Sequence, residues 1–103
     1  MKKTILLISI IFSALLTMVA NANTLTGVIT DAEGNPMNGV MVRVTDAQSI
    51  VSEVVYSNPQ GEYKLATILE GDLSIRTRLP YFKDQMASVS LTGTANLDLV
   101  MEP

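Results

Sequence analysis

The chain has 103 residues with no histidine and no cysteine, and its formal net charge at pH 7 is −3. The length suits one domain, and the missing residue types exclude disulfides, histidine-ligated zinc sites and histidine-activated serine or cysteine nucleophiles. Nucleic acid is an unexpected partner, because neutralising phosphates needs a concentrated group of lysines and arginines that this sequence lacks.

The first 22 residues have the pattern of an export signal. Two lysines precede an apolar run over residues 5–18, and Ala20-Asn21-Ala22 supplies the small-x-small pattern of a signal-peptidase site. The apolar run is shorter than the about 20 residues that a bilayer span needs. We therefore predict a cleavable signal peptide over residues 1–22, a mature domain over residues 23–103 with no membrane span, and a periplasmic or secreted bacterial location.

The next residues predict two strands joined by a loop. Residues 24–30 alternate weakly, and residues 31–36 contain the acidic, Asn, Gly and Pro residues typical of a loop. Residues 39–45 alternate cleanly, which predicts a half-buried strand. Three valines form its predicted core face and three other side chains the opposite face: Val40, Val42 and Val44 against Met41, Arg43 and Thr45.

Two further strands flank a second turn. Residues 50–57 are rich in Val and Ile, and the side that carries Tyr56 is the predicted core face, together with Ile50, Ser52 and Val54. Residues 58–61 read Asn-Pro-Gln-Gly, a turn in which Pro59 presets φ and Gly61 permits a left-handed residue. The strand over residues 62–67 places Tyr63 and Leu65 on one face, with the tyrosine ring in the core and its hydroxyl at the rim.

Three more segments complete the pattern. Residues 73–79 alternate until Pro80 breaks the strand, and strands are also predicted within residues 83–91 and over residues 95–101. This gives about seven strands at intervals of about 8–12 residues, which is typical of an all-β sandwich.

The arrangement of turns resembles the carboxypeptidase regulatory-like domain, a prealbumin-like (transthyretin-like) fold. The resemblance is carried by Gly27, Asp31, Gly34, Pro36 and Gly39, by the valine strand that follows, and by Ser57-Asn58-Pro59-Gln60-Gly61-Glu62-Tyr63. It covers essentially the whole mature chain and implies a seven-stranded Greek-key prealbumin-like β-sandwich. Such domains flank peptidases, outer-membrane receptors and other secreted proteins, where they aid folding or mediate contacts.

Three residues depart from the family pattern. Asn58 stands where an Asp is usual, and Glu70 stands where a Pro often precedes the glycine. Tyr81, followed by Phe82, replaces a small residue and is therefore a candidate for exposure.

The turns themselves have a structural interpretation. Gly27 and Gly39 are expected to allow close backbone approach or bulges, and Asp31 or Asn58 to bond the backbone of its own turn. The alternative is a weak Ca²⁺ site in the loop of Asp31, Glu33 and Asn35. Calcium needs six to eight oxygen ligands, which this loop alone does not supply.

The chemistry-bearing residues do not predict an enzyme, a metal site or a cofactor. Paired carboxylates are formally possible among the ten acidic residues, but nothing sets two of them in a cleft. The notable polar-aromatic group is Arg76, Arg78 and Tyr81, a candidate interaction surface because arginine and aromatic side chains are favoured in recognition. The alternative is that Phe82 packs in the core and the arginines are simply solvated.

The sequence therefore predicts a non-catalytic exported accessory module that mediates protein–protein contacts. Its partner would be another exported or outer-membrane protein, or a second copy bound through an edge strand. The alternative function is a carbohydrate or surface-ligand binding module. Sugar binding usually needs exposed aromatic rings, and the scarcity of aromatic residues in the mature chain disfavours this function. The four are Tyr56, Tyr63, Tyr81 and Phe82. An enzyme with an unrecognised carboxylate site is the third hypothesis.

Overall fold

The computed structural model of the protein describes residues 23–103, so the predicted signal peptide over residues 1–22 lies outside the described residues. This part of the chain is all β and contains no helix that could cross a membrane. The strands, in chain order, are β1 (Asn23–Thr30), β2 (Met41–Thr45), β3 (Ser52–Tyr56), β4 (Glu62–Thr67), β5 (Gly71–Arg78), β6 (Met86–Leu91), β7 (Thr94–Asn96) and β8 (Leu99–Val100).

The strands form two sheets that pack face to face. The first has the order β4-β1-β7, with β8 also paired to β1, and the second has the order β3-β2-β5-β6. β1 is antiparallel to β4 and parallel to both β7 and β8. This architecture confirms the predicted prealbumin-like β-sandwich.

The last predicted strand, over residues 95–101, is divided into β7 and β8. Leu25 lies opposite Ala95 and Ile29 opposite Leu99, so the two segments keep one register along β1. Residues 23–103 therefore form eight strands where the sequence predicted about seven, because one strand is interrupted and not because an additional strand is present.

The interruption lies where three residues meet. A Cβ at Gly27 would collide with the carbonyl oxygen of Leu97, and the Tyr63 hydroxyl donates a hydrogen bond to that same oxygen. The backbone N–H of Val28 donates instead to the side chain of Asp98, at 2.9 Å. The close approach predicted at Gly27 is confirmed, and the Tyr63 hydroxyl holds the carbonyl that is turned out of the sheet ladder.

The core lies between the inner faces of the two sheets. Val42 and Val44 of β2 and Val40 just before it are fully buried, as the alternation predicted, and Tyr63 and Leu65 of β4 are buried in register. The other buried apolar residues are Leu25, Ile29, Leu69, Leu73, Ile75, Leu91, Leu99 and Met101. A core of this composition stabilises the domain without disulfides, because burying each such side chain contributes about 1.5–3 kcal/mol.

The predicted core face of β3 is wrong. Tyr56 is 64% exposed and Val54 is 40% exposed, whereas Val55 packs against the core. The physical reason is the register with β2, in which Val42 lies opposite Val55. Opposite residues in a sheet share a face, so the buried valine of β2 brings Val55 inward and turns Tyr56 outward.

Candidate functional site

Tyr81 lies in a tight turn that follows β5. The N–H of Phe82 donates to the carbonyl of Leu79 at 3.1 Å, which closes a four-residue turn with Pro80 in its second position. Tyr81 has a φ of 72°, in the left-handed region that the third position of a type II turn requires and that glycine normally fills. Its side chain is 96% exposed, so the expected exposure is confirmed.

Two arginines of β5 lie on the outer face of the second sheet, next to this turn. Arg76 donates from Nε to Oδ2 of Asp84 at 2.9 Å, and Arg78 donates from Nη2 to the same oxygen at 3.2 Å. Both side chains are about half exposed or more, at 49% and 61%. Hydrogen bonds from Arg78 and Arg76 lower the pKa of the Asp84 carboxyl below its usual value. The arginines are therefore solvent-exposed and are both paired with one carboxylate.

A third arginine lies beside them, and the sequence analysis placed it on a polar face without assigning it a role. Arg43 of β2 is directly opposite Arg76 of β5 in the sheet. Its side chain is exposed and has no carboxylate within 4 Å in residues 23–103. Like charges directly opposite each other destabilise a sheet. The sequence signal that could have found this pair is the outward position of both residues in their strands, but the order of the strands was needed to bring them together.

Apolar side chains flank the arginines on the same face. Met86 of β6, opposite Arg76 on its other side, is 75% exposed. Tyr56 and Val54 project outward from β3. We call this outer face of β3-β2-β5-β6, with the turn that carries Tyr81, the arginine face. It combines arginine, methionine and aromatic side chains, the types that are enriched at protein interfaces.

A recess of about 310 Å³ lies within the arginine face. Two guanidinium groups and Met86 line one part of it, and four hydroxyl side chains line the rest: Thr45, Ser49, Ser52 and Ser74, together with Ile75. Thr45 and Ser52 are hydrogen-bonded to each other at 3.0 Å. The recess thus offers cationic donors and hydroxyl groups next to an exposed thioether.

Phe82 and Tyr81, although adjacent, have opposite roles. Phe82 is half-buried and packs against the core, as the alternative interpretation of this segment predicted. Tyr81 forms no side-chain hydrogen bond with other residues of the described part. The turn is therefore anchored by Phe82 and Pro80 and presents the tyrosine ring to solvent.

The acidic loop after β1 has a structural role. Asp31 accepts hydrogen bonds through Oδ1 from the N–H groups of Glu33 and Asn35, both at 2.9 Å. The bond from the Asn35 backbone is the main cause that lowers the pKa of Asp31. Residues 23–103 contain no group of three acidic, His or Cys side chains that could hold a metal ion. The Asp31 carboxylate is thus already engaged by its own loop.

A second concavity, of about 540 Å³, lies outside β1 and β4. Its lining includes one carboxylate, Glu62, and one ammonium group, Lys64, along with Asn96 and Tyr56. General acid–base hydrolysis uses two carboxyl groups set on either side of a substrate bond. This concavity does not bring two carboxylates together.

The family model for the carboxypeptidase regulatory-like domain matches residues 24–102. The chain belongs to this family. No curated protein sequence is significantly similar to it. The match covers all of the described strands except the first residue of β1, in agreement with the resemblance carried by the turns.

Solved structures share the fold of this regulatory-like domain at low sequence identity. The major pilin subunit BcpA of Bacillus cereus has a TM-score of 0.67 at 16% identity, over 80% of this chain and 30% of the pilin chain. A DUF3823 family protein from Bacteroides uniformis has a TM-score of 0.64 at 16% identity, over 81% and 44%. Chlorocatechol 1,2-dioxygenase from Pseudomonas putida has a TM-score of 0.65 at 10% identity, over 78% and 59%.

The domain spans less than two thirds of each of these three chains, and at such identities the similarity concerns the fold alone. Pilins and dioxygenases are built on the same sandwich, so the sandwich itself does not decide between binding and catalysis. For this chain, the distinction between binding and catalysis depends on the side chains present, which include no histidine.

Two family departures of the regulatory-like domain differ in their consequence. Asn58 accepts hydrogen bonds through Oδ1 from the N–H groups of Gln60 and Glu62, at 3.0 and 2.9 Å. It therefore does what an aspartate would do in the same turn, as predicted. Tyr81 has no such substitute role, because its side chain makes no contact that the turn requires.

Proposed function

We propose that the protein is a non-catalytic exported interaction module that binds a partner protein through Arg76, Arg78 and Tyr81. The observation that supports this most strongly is the conformation of Tyr81, a fully exposed aromatic residue with a φ of 72°. Left-handed backbone costs a non-glycine residue about 1–2 kcal/mol. Glycine would avoid that cost at no loss of packing, so an exposed tyrosine at this position indicates a contact outside the chain.

The two arginines support the same proposal. Asp84 holds both guanidinium groups on one side of the turn, so part of the entropy cost of ordering these long side chains is already met within the protein. Ordered arginines next to an exposed aromatic ring form a typical binding hot spot.

A binding role is favoured over catalysis by the side chains present. The chain has no histidine and no cysteine, and an iron site of the intradiol-dioxygenase kind needs histidine together with tyrosine. The concavity beside β1 and β4 has one carboxylate in its lining. We therefore assign no reaction to the dioxygenase-like fold in this protein.

The location and the partner follow from the predicted signal peptide over residues 1–22. Export would place the mature domain, residues 23–103, in the periplasm or outside a bacterial cell. A partner would be another exported or outer-membrane protein that reaches the same compartment.

Self-association through an edge strand is a second route of contact, favoured by one observation. β3 and β4 carry charged residues and the β7–β8 edge is interrupted, whereas the six residues of β6 include no charge, proline or glycine. Unprotected edges can pair with another chain. Sedimentation at increasing concentration should reveal a dimer that Ser88→Pro abolishes, and a monomer at all concentrations would exclude this route.

The carbohydrate-binding alternative depends on exposed aromatic rings, and the described domain has two, Tyr56 and Tyr81. Binding of a neutral glycan that is lost in Tyr56→Ala and Tyr81→Ala would support this alternative. A glycan array without signal would remove it.

The proposal is tested by affinity capture from a periplasmic extract followed by mass spectrometry. We expect a partner protein that binds the native domain and is lost with the triple change Arg76→Ala, Arg78→Ala, Tyr81→Ala. The control combines Lys64→Ala with Ile68→Ala, which removes one cation and one exposed apolar side chain from another part of the surface. Equal capture by all three folded proteins would contradict the proposal.

A further inference from the structure

The recess in the arginine face indicates what kind of partner the surface fits. Its lining includes Arg43 and Arg76, which come from neighbouring strands and lie directly opposite each other in the sheet. Nothing in residues 23–103 neutralises Arg43, although the chain as a whole is acidic. The recess therefore contains an unpaired positive charge, although the net charge of the chain is negative.

Asp84 indicates which ligand group this charge suits. Its carboxylate oxygen already receives bonds from Arg76 and Arg78 at the edge of the face, at distances between 2.8 and 3.2 Å. Arginine binds carboxylates with a planar fork of donors. Arg43 is one strand further from Asp84 than Arg76 is, so a second carboxylate can bind Arg43 together with the Arg76 donor that Asp84 does not use.

The rest of the lining favours a polypeptide as the source of that carboxylate. Four hydroxyl side chains can bond the backbone or carboxylate oxygens of an extended segment. Exposed Met86 and Val54 offer apolar contact on either side of the arginine pair. A sulfated glycan or a lipid headgroup would match the cations but would leave these apolar side chains in water.

We propose that the recess lined by Arg43 and Arg76 binds an acidic side chain of an extended segment of the partner protein. This inference rests on the proposed function and specifies the partner's chemistry. Arg43 is the specificity-determining residue, because it is the arginine of the recess that has no carboxylate of residues 23–103 within 4 Å. The segment crosses the arginine face with its carboxylate in the recess and an apolar neighbour against Met86.

The test uses the purified protein and a blocked synthetic peptide of about ten residues in which glutamate and valine alternate. Its counterpart has glutamine in place of each glutamate. Isothermal titration calorimetry should detect binding of the acidic peptide that weakens with added salt, since exposed charge pairs are screened. The glutamine peptide should bind at least about tenfold more weakly.

Two variants of matched charge locate the site. Arg43→Gln should weaken binding of the acidic peptide about threefold to tenfold, while Lys64→Gln, on the outer face of the other sheet, should change it less than about twofold. Arg43→Gln should fold as well as the native protein or slightly better, since it removes a like-charge pair. Loss of binding without loss of stability separates docking from a structural role.

Asp84→Asn should change the affinity for the acidic peptide in the opposite direction from Arg43→Gln. It removes the internal carboxylate that holds Arg76 and Arg78, so the acidic peptide should bind about twofold to threefold more tightly. Unchanged or weaker binding would contradict the proposed competition.

Other results would overturn the inference. Equal binding of the acidic and glutamine peptides, or equal weakening by Arg43→Gln and Lys64→Gln, would exclude a carboxylate recess. Tighter binding of heparin or of anionic phosphatidylglycerol vesicles through Arg43 would assign the recess to another class of ligand. Partner capture that depends on Arg76, Arg78 and Tyr81 but is unaffected by Arg43→Gln would leave the proposed function intact and exclude this recess.

Discussion

Two turns of the domain share a proline in the second position, but their left-handed residues are in different positions and have opposite surroundings. In residues 58–61, Pro59 is in the second position, and the N–H of Gly61 donates to the carbonyl of Asn58 at 2.8 Å. In residues 79–82, Pro80 holds the same position in a turn closed by Phe82. Each turn contains one residue with a positive φ, Gly61 at 77° and Tyr81 at 72°.

The difference lies in what surrounds the left-handed residue. Gly61 is buried, and a Cβ there would approach the carbonyl oxygen of Ile29 to 2.5 Å, so glycine is required by both conformation and space. Tyr81 is exposed and has space for its side chain. The buried turn uses the residue that the fold requires, whereas the exposed turn accepts backbone strain in order to present an aromatic ring.

The largest expected effect is on the buried turn. Gly61→Ala should lower the free energy of unfolding by about 3 kcal/mol or more, because it adds a steric clash to left-handed strain. Gly34→Ala is the matched control, with a φ of 86° and nothing within 4 Å of its added Cβ, and should cost about 1 kcal/mol. Urea unfolding measures both. Equal losses would mean that the close approach to Ile29 is not what fixes glycine in the buried turn.

The next effect concerns alkaline pH near the buried turn. Burial, and secondarily the charge of Asp98, raises the pKa of Tyr63 to about 12 from its ordinary value of 10.0. A raised pKa stabilises the fold fully below pH 10 and loses that contribution as the pH rises from 10 to 12. The loss should reach about 1–2 kcal/mol after allowance for solvent screening.

Urea unfolding at several pH values tests this dependence. The slope between pH 10 and 12 should largely vanish in Tyr63→Phe and persist in Tyr56→Phe, which changes an exposed ring. A slope that survives in Tyr63→Phe would assign alkaline unfolding to other groups.

The smallest expected effect on stability is at the exposed turn, and it has the opposite sign. Tyr81→Gly should raise the free energy of unfolding by up to about 1 kcal/mol, since relief of strain exceeds the extra chain entropy of glycine in the unfolded state. The same variant should lose partner capture. A Tyr81→Gly protein that is less stable than the native one would indicate that the tyrosine contributes to folding and would weaken the case for a binding role.

Much of the fold could be predicted because each strand with one buried face alternates in sequence. β2 and β5 have buried residues at every second position, and the observed burial follows the predicted faces. β3 could not be predicted in this way. Both of its faces contain apolar residues, and Glu53 made the true inner face look polar. Edge strands tolerate an inward-pointing charge. Which face of β3 is buried therefore depends on its position at the sheet edge, and the sequence did not reveal that position.

The interruption between β7 and β8 was also hidden from the sequence. Leu97, Leu99 and Met101 alternate as a continuous strand would. The break depends on Gly27 and Tyr63, which belong to other strands and are distant along the chain.

The candidate site was partly predictable for a related reason. Arg76, Arg78 and Tyr81 are close in sequence and could be grouped without a structure. Asp84 could also have been assigned to this group from the sequence. Arg76 lies opposite Met86 in an antiparallel pair, and extending this pairing towards the turn after β5 brings Asp84 next to Arg78. Arg43 required the order of the strands, because β2 and β5 are neighbours in the sheet but are separated by two strands along the chain.

The parallel pairing of β1 with β7 and β8 affects how the polypeptide can acquire its structure. The central strand of the first sheet, β1, has two neighbours that follow Gly93 and are therefore distant from it along the chain. Until these residues pair, β1 has one unoccupied side, so the first sheet depends on contacts of long sequence separation, which form slowly. A partly folded chain that lacks these pairings therefore exposes an unpaired strand edge, which makes it prone to aggregate.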